Sequence, residues 1–381
     1  MEKTAKHSSS PERQAKLVLE DGSEYSGWAF GKTRSQAGEV VFNTGMTGYP
    51  QLLTDPGSRG HIVVLTFPQA GNCGAPVKKG GEPFFDGQGI PVHLESEQIQ
   101  AAGLVVAELC RQPSHYSSGA TLSAWLEKGN TPGIRGIDTR ALAARLRERG
   151  AMRGKILVEG CRDVTLDSGS PENPVADVSH NEVKTFFPEG KVRRGRQARI
   201  ALIDCGVKAN TLRCLLAGNV TVTRLPWNHD LGGIEYDGLF LSGGPGDPRA
   251  CGKTIATVRR AFTLGKPVFG TSIGNLIIAL AAGADIYKMP CGHRGQNQPC
   301  VEAGASCYIT SQNHGYSVRS DTLPRGWAPW FTNANDGTIE GIRSIKNPFS
   351  AVQFNPEGCP GPRDTEFLFG RFIDQVNEAK K

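Results

Sequence analysis

The chain has 381 residues, 38% hydrophobic and 21% charged, with a formal net charge of +6. That length can hold two domains with a core in each, and the balance is that of a globular protein rather than a disordered or fibrous one. No run of 18 apolar residues is present to cross a membrane. The ten cysteines include no CxxC pair, which argues against a zinc site or a disulfide scaffold and for a reducing compartment.

The first 16 residues are polar, carry Glu2 and Glu12, and lack the apolar core of a secretory signal. They are expected to form a flexible tail, and their acidity fits a transit peptide poorly, so a cytosolic location is expected. Leu17–Tyr25 reads as a hairpin over an Asp21-Gly22 turn. Further strands are expected at Glu39–Thr44, His61–Thr66 and Gly103–Ala107. Asp138 is placed to cap a helix that runs through Leu146 and stops at Gly150. The stretch from Val164 to Arg196 is polar and rich in Gly, Pro and Ser. Its basic run, Lys191-Val192-Arg193-Arg194-Gly195-Arg196, has no interleaved aromatics and reads as a solvated linker rather than a nucleic-acid surface. This partition gives a tail at 1–16, a first domain at 17–190, a linker at 191–198 and a second domain at 199–381.

The second half changes style. Strands are expected at Arg199–Asp204, Val220–Thr223, Gly238–Ser242 and Pro267–Gly270. Helices are expected at Asn210–Leu216, Thr254–Leu264, Asn275–Ala282 and Thr365–Val376. Strands alternating with helices through short glycine-rich links predict an α/β fold with a doubly wound parallel sheet, whose chemistry sits at the C-terminal strand ends. Three such ends carry candidate residues. Gly270-Thr271-Ser272-Ile273-Gly274 is a strand–turn–helix elbow that would project Ser272 at a helix N-terminus. Gly243-Gly244-Pro245-Gly246 lets backbone approach a ligand closely, and lacks the Lys-Ser/Thr of a phosphate-binding P-loop. Ala351-Val352-Gln353-Phe354-Asn355-Pro356-Glu357 is a strand ending in polar groups.

Together these motifs resemble a class I glutamine amidotransferase domain. The whole chain is similar to the small, glutamine-handling subunit of carbamoyl-phosphate synthetases. In the first half the resemblance rests on Phe42-Asn43-Thr44-Gly45-Met46-Thr47-Gly48-Tyr49, Thr54-Asp55-Pro56 and Gly136-Ile137-Asp138-Thr139-Arg140. In the second it rests on Leu241–Pro248, Arg294–Pro299 and Gln312-Asn313-His314-Gly315-Tyr316. The resemblance implies a mixed β/α small-subunit domain followed by the amidotransferase domain. It also implies docking on a large synthetase subunit or domain, with ATP and Mg held by that partner and no cofactor or metal in this chain. A glutamine pocket is implied at Gly45, Gly244, Gly246, Ile273, Asn275, Leu276, Asn313, Gly315 and Tyr316.

The departures from that family decide the functional expectation. An active member has Cys at the elbow, followed three and four residues later by His and Gln; here these positions hold Ser272, Asn275 and Leu276. The general-base His position holds Asn355, while the acid two residues on, Glu357, is retained. A serine hydroxyl needs a base to become nucleophilic, and an asparagine amide takes no proton near neutrality. Loss of one triad member costs on the order of 10⁴-fold in kcat, and loss of a second adds little. An engineered Cys-to-Ser change would account for Ser272 alone but not for Asn275, Leu276 and Asn355. The Ser-x-Gly-Asn-Leu pattern resembles the ammonia-dependent synthetases, whose mitochondrial setting is the alternative location. The expected role is therefore a structural and regulatory one without glutamine hydrolysis. Two alternatives stay open: an active enzyme using Ser272 or Cys359, and an amino-acid-binding pseudoenzyme. Cys205 is read as a core residue. His229 and His293 are read as surface or hydrogen-bonded rather than metal ligands.

Overall fold

The computed structural model describes residues 12–169, 172–189 and 197–380. In the first domain the strands are β1 (Gln14–Leu19), β2 (Glu24–Gly31), β3 (Gln36–Asn43), β4 (His61–Leu65), the short β5 (Gln69–Ala70), β6 (Gly103–Val106), the short β7 (Glu108–Leu109), β8 (Pro132–Arg135) and β9 (Met152–Val158). Three helices accompany them: α1 (Tyr49–Thr54), α2 (Leu122–Lys128) and α3 (Thr139–Arg149). Seven strands close into a barrel in the order β1-β2-β8-β6-β4-β3-β9, and β5 pairs with β7 apart from it. Strand alternation fills the lumen: Ala15, Leu17 and Leu19 of β1 meet Val40, Ile62, Val64, Val105, Ile134, Ile156 and Val158. Leu142 and Leu146, one turn apart on α3, join the same cluster. Asp138 caps α3 by accepting from the N–H groups of Arg140 and Ala141, and Gly150 ends it.

In the second domain come α4 (Pro174–Val178), β10 (Lys184–Phe186), β11 (Arg199–Asp204), α5 (Ala209–Ala217), β12 (Thr221–Pro226), β13 (Gly238–Leu241), α6 (Gly252–Thr263), β14 (Val268–Thr271) and α7 (Ile273–Ala282). They are followed by β15 (Ile286–Glu302), β16 (Cys307–Val318), β17 (Trp327–Asn333), β18 (Ile339–Ser344), β19 (Phe349–Val352) and α8 (Phe367–Ala379). One ten-stranded sheet runs β10-β12-β11-β13-β14-β19-β18-β16-β15-β17. Its core from β12 to β19 is parallel, and these strands are buried almost throughout because helices cover both faces. The apolar stripes of α6 and α7 pack on one face with Val258, Ala261, Ile273 and Ile277. Those of α5 and α8 pack on the other with Leu212, Leu215, Phe369, Phe372 and Val376. Phe240, Phe269, Phe369 and Phe372 form a ring cluster under α8.

Two expectations change. Gln14–Lys16, placed in the tail, begin β1, with Gln14 opposite Trp28. Val175 of α4 lies in the second domain's core, and β10 pairs with β12 at the edge of its sheet. By sheet and core membership the second domain therefore starts before residue 174, not at 199. Most of the expected linker, 191–196, lies outside the described residues, as do residues 1–11. The barrel, and the antiparallel strands β15 to β18, were not anticipated.

Candidate functional site

The site forms where β13, β14 and β19 end. Ser272 sits between β14 and α7 at φ 53°, ψ −117°, a conformation that costs a non-glycine residue about 1–3 kcal/mol. Tight packing holds it there. A Cβ on Gly274 would lie 2.6 Å from the Leu241 carbonyl oxygen, so α7 can start against β13 only with glycine at that position. The Ser272 N–H donates to the Val352 carbonyl at 2.9 Å, which locks the elbow to β19.

Beside Ser272 lies a cavity of about 110 Å³ lined by Gly244, Gly246, Ile273, Leu276, Met289, Asn313, Gly315, Tyr316 and Gln353. Glu39, Gly57 and His61 of the barrel domain complete its wall with Lys288, Arg294 and His314. The first domain thus supplies part of the pocket. Domain contacts hold it in place: Lys288 Nζ lies 2.7 Å from Glu39, Gln296 donates to the Thr47 carbonyl at 2.7 Å, and the Ala209 N–H donates to the Glu95 carbonyl at 2.9 Å.

Of the residues named from sequence, Gly244, Gly246, Ser272, Ile273, Leu276, Asn313, Gly315 and Tyr316 share this cavity. Gly45 does not line it; it lies against Gln296, whose amide nitrogen a Cβ there would approach to 2.6 Å. Asn275 is fully buried below the pocket floor and donates to Gln353 Oε1 at 2.8 Å. Asn355 is buried and bonds through its backbone to the Ser311 carbonyl at 2.9 Å. Glu357 is buried away from the cavity and pairs with Lys208, Nζ to Oε1 3.1 Å, while the same ammonium donates to the Gly358 carbonyl at 2.8 Å. Lys208 and the barrel residues Glu39 and His61 were missed because no local motif marks them as part of the site, whereas Gln353 and Arg294 lie within motifs named from the sequence and were not singled out as site residues.

The chemistry open to this arrangement is limited. Among the described residues, no hydrogen bond reaches the Ser272 hydroxyl. His314 lines the cavity with both ring nitrogens engaged, Nδ1 at 3.0 Å from the Tyr316 carbonyl and Nε2 at 3.1 Å from Gln312 Oε1. The thiol of Cys359 is pushed up to about 12 by burial and by the neighbouring Glu95 carboxyl, so it is a thiol and not a thiolate near neutrality. Burial likewise raises Cys205 and pushes Cys251 up to about 12. The pocket has the backbone donors of a helix N-terminus, and among the described residues no hydrogen bond joins the Ser272 hydroxyl to a base.

Residues 17–156 match the family described as carbamoyl-phosphate synthase small chain, CPSase domain, and residues 201–375 match glutamine amidotransferase class-I. The chain is 42% identical over 375 residues to multifunctional protein pyr1-3 of Dictyostelium discoideum, covering 94% of this chain and 17% of that protein. It is 42% identical over 369 residues to the human mitochondrial carbamoyl-phosphate synthase [ammonia], covering 96% of this chain and 24% of that protein. It is 42% identical over 371 residues to multifunctional protein CAD of Squalus acanthias, covering 96% and 16%. The chain thus spans less than a quarter of each of these relatives' lengths. Fold, motif order and these similarities agree that the chain joins a carbamoyl-phosphate synthase small-chain domain to a class-I glutamine amidotransferase domain.

Proposed function

We propose that this chain is the amidotransferase-like part of a carbamoyl-phosphate synthetase that has lost glutamine hydrolysis and works as a structural and regulatory module. Its partner is a large synthetase subunit or domain, which binds ATP and Mg and forms carbamoyl phosphate from bicarbonate, ammonia and ATP. The observation that carries this reading is the state of the triad. Ser272 has no base in hydrogen-bonding distance, Asn355 occupies the base position, and Glu357 serves Lys208 instead of an imidazole. The apolar Leu276 on the cavity wall, where an active member has glutamine, removes an amide that would hold substrate. The name of the human relative, which specifies ammonia, favours the same reading.

The test pairs this chain with a large synthetase subunit and measures carbamoyl phosphate with either ammonium or glutamine as nitrogen source. Synthesis from ammonium alone is expected. Synthesis from glutamine at a comparable rate would refute the proposal.

A further inference from the structure

We propose that Arg294 is the anchor of a binding site for a small organic carboxylate, set into the wall of the pocket where the two domains meet. The argument begins with a charge that lacks a partner. Arg294 of β15 lines the cavity and is only 8% exposed. Its Nε is buried without a hydrogen-bond acceptor. Among the described residues, no hydrogen bond and no ion pair reaches the rest of the guanidinium. Burial holds its pKa below the usual arginine range, and the Glu39 charge only partly offsets this. A cation taken out of water and left unpaired is costly, so this arrangement calls for an anion.

The backbone makes room for the fork. A Cβ on Gly292 would collide with Nη1, and a Cβ on Gly315 would lie 3.1 Å from Nη2. Both strands of the β15–β16 pair therefore need glycine beside the guanidinium. The Arg294 carbonyl accepts from the Thr44 N–H of the first domain at 3.4 Å, which fixes the residue at the domain seam. The one carboxylate on the cavity wall is Glu39, and it is already engaged: its Oε1 lies 2.7 Å from Lys288 and its Oε2 3.5 Å from His61.

Charge and size select the ligand. With the histidines set aside, the wall carries two cations, Lys288 and Arg294, against the one carboxylate. That surplus of one matches a monoanion. A guanidinium fork pairs a carboxylate through two parallel hydrogen bonds. A phosphate dianion would bring a second charge towards Glu39 with nothing to meet it. The cavity of about 110 Å³ is several times what one water needs, which suits a small organic acid. Because Glu39, Gly57 and His61 come from the barrel domain, a carboxylate here touches both domains. The inference rests on the regulatory reading above for its use, whereas binding itself does not require that hydrolysis is lost.

The test is calorimetric titration of the whole chain, without a synthetase subunit, so that its failure is separate from failure of the synthesis assay. The probes are acetate, L-glutamine, L-glutaminamide and inorganic phosphate at matched ionic strength. Saturable binding of acetate or L-glutamine is expected, the first meaning that a free acid suffices and the second that an amino-acid carboxylate is required. L-glutaminamide, which lacks the carboxylate, and phosphate should bind at least about 10-fold more weakly. Arg294→Gln should weaken carboxylate binding by about 10- to 100-fold, the loss of a charged hydrogen-bonded pair. Absence of saturable carboxylate binding would overturn the proposal, as would equal binding of phosphate or L-glutaminamide, or an affinity that Arg294→Gln leaves unchanged. Should Arg294→Gln fail to fold, Glu39→Gln decides. Removal of the competing carboxylate is expected to tighten acetate or L-glutamine binding several-fold, and unchanged or weaker binding would overturn the proposal.

Discussion

Lys208 and Glu357 form a buried ion pair, 3.1 Å from Nζ to Oε1, with side chains only 4% and 2% exposed. In the function proposed above, Glu357 is the retained acid of the triad, yet its partner in this chain is a lysine ammonium. The pair ties the start of α5, which follows β11, to the segment after β19, on the other side of β13 and of the elbow strand β14. It has therefore a structural use that needs no imidazole. Burial disfavours the Lys208 ammonium, but Glu357, Glu95 and Asp55 around it outweigh burial and raise its pKa above the usual lysine range.

Removing one member of this pair leaves a buried charge alone. Lys208→Met is expected to cost about 3–5 kcal/mol of stability, and Lys208→Met with Glu357→Met markedly less than that, because both charges are then gone. Denaturant unfolding of the two variants checks this. Because the folded-state pKa of Lys208 is raised, its contribution is complete below the ordinary lysine value and fades only as pH rises through the folded value. Stability measured from pH 7 to 10 should show no loss from this pair.

Rebuilding the nucleophile and the base together should matter more than rebuilding either. Ser272→Cys alone leaves a thiol without a base, and Asn355→His alone leaves a base beside a weak nucleophile. The double variant is expected to release glutamate from glutamine at least about 100-fold faster than either single variant, since triad members act as a unit. Equal rates in all three would mean that the pocket no longer binds glutamine productively.

Cys359 follows Glu357 closely enough to invite a reading as a substitute nucleophile. With its thiol pushed up to about 12, only about one molecule in ten thousand carries the thiolate at pH 8. Iodoacetamide at pH 8 should therefore modify the exposed Cys307 and leave Cys359 unlabelled, as read by peptide mass spectrometry. Preferential labelling of Cys359 would reverse the assignment.

The elbow's strain should now be dispensable. Ser272 holds a positive φ of 53°, which glycine adopts without a Cβ penalty. Ser272→Gly is expected to stabilise the chain by about 1 kcal/mol, the relief of strain exceeding the entropy that glycine loses on folding. A lower denaturation midpoint for this variant would show that the hydroxyl contributes to packing.

The parallel half of the second domain was legible because each element is local. Buried strands such as Arg199–Asp204 and the elbow around Ser272 declare themselves in runs of apolar residues and glycine. The helix capped by Asp138 was legible for the same reason. The barrel was not, since closure of β9 onto β1 depends on pairing between ends of the domain far apart in sequence. β15 was hidden because its register shifts between Lys288 and His293 and again between Gly295 and Gln298, which breaks the alternation that marks a strand. The boundary was placed late because Val175 and β10 look polar in their surroundings, and only the fold joins them to the second sheet. The site divides in the same way: Ser272 and Gly244 follow from local pattern, whereas Lys208 opposite Glu357 and Glu39 beside Lys288 follow from the tertiary fold.

The most direct test of the central claim is glutamate release from labelled glutamine by this chain assembled with a large synthetase subunit, with Ser272→Ala as control. The expected result is release no faster than the control, while ammonium supports carbamoyl phosphate synthesis. Release that keeps pace with synthesis, and that Ser272→Ala abolishes, would contradict the claim that the amidotransferase site is inactive.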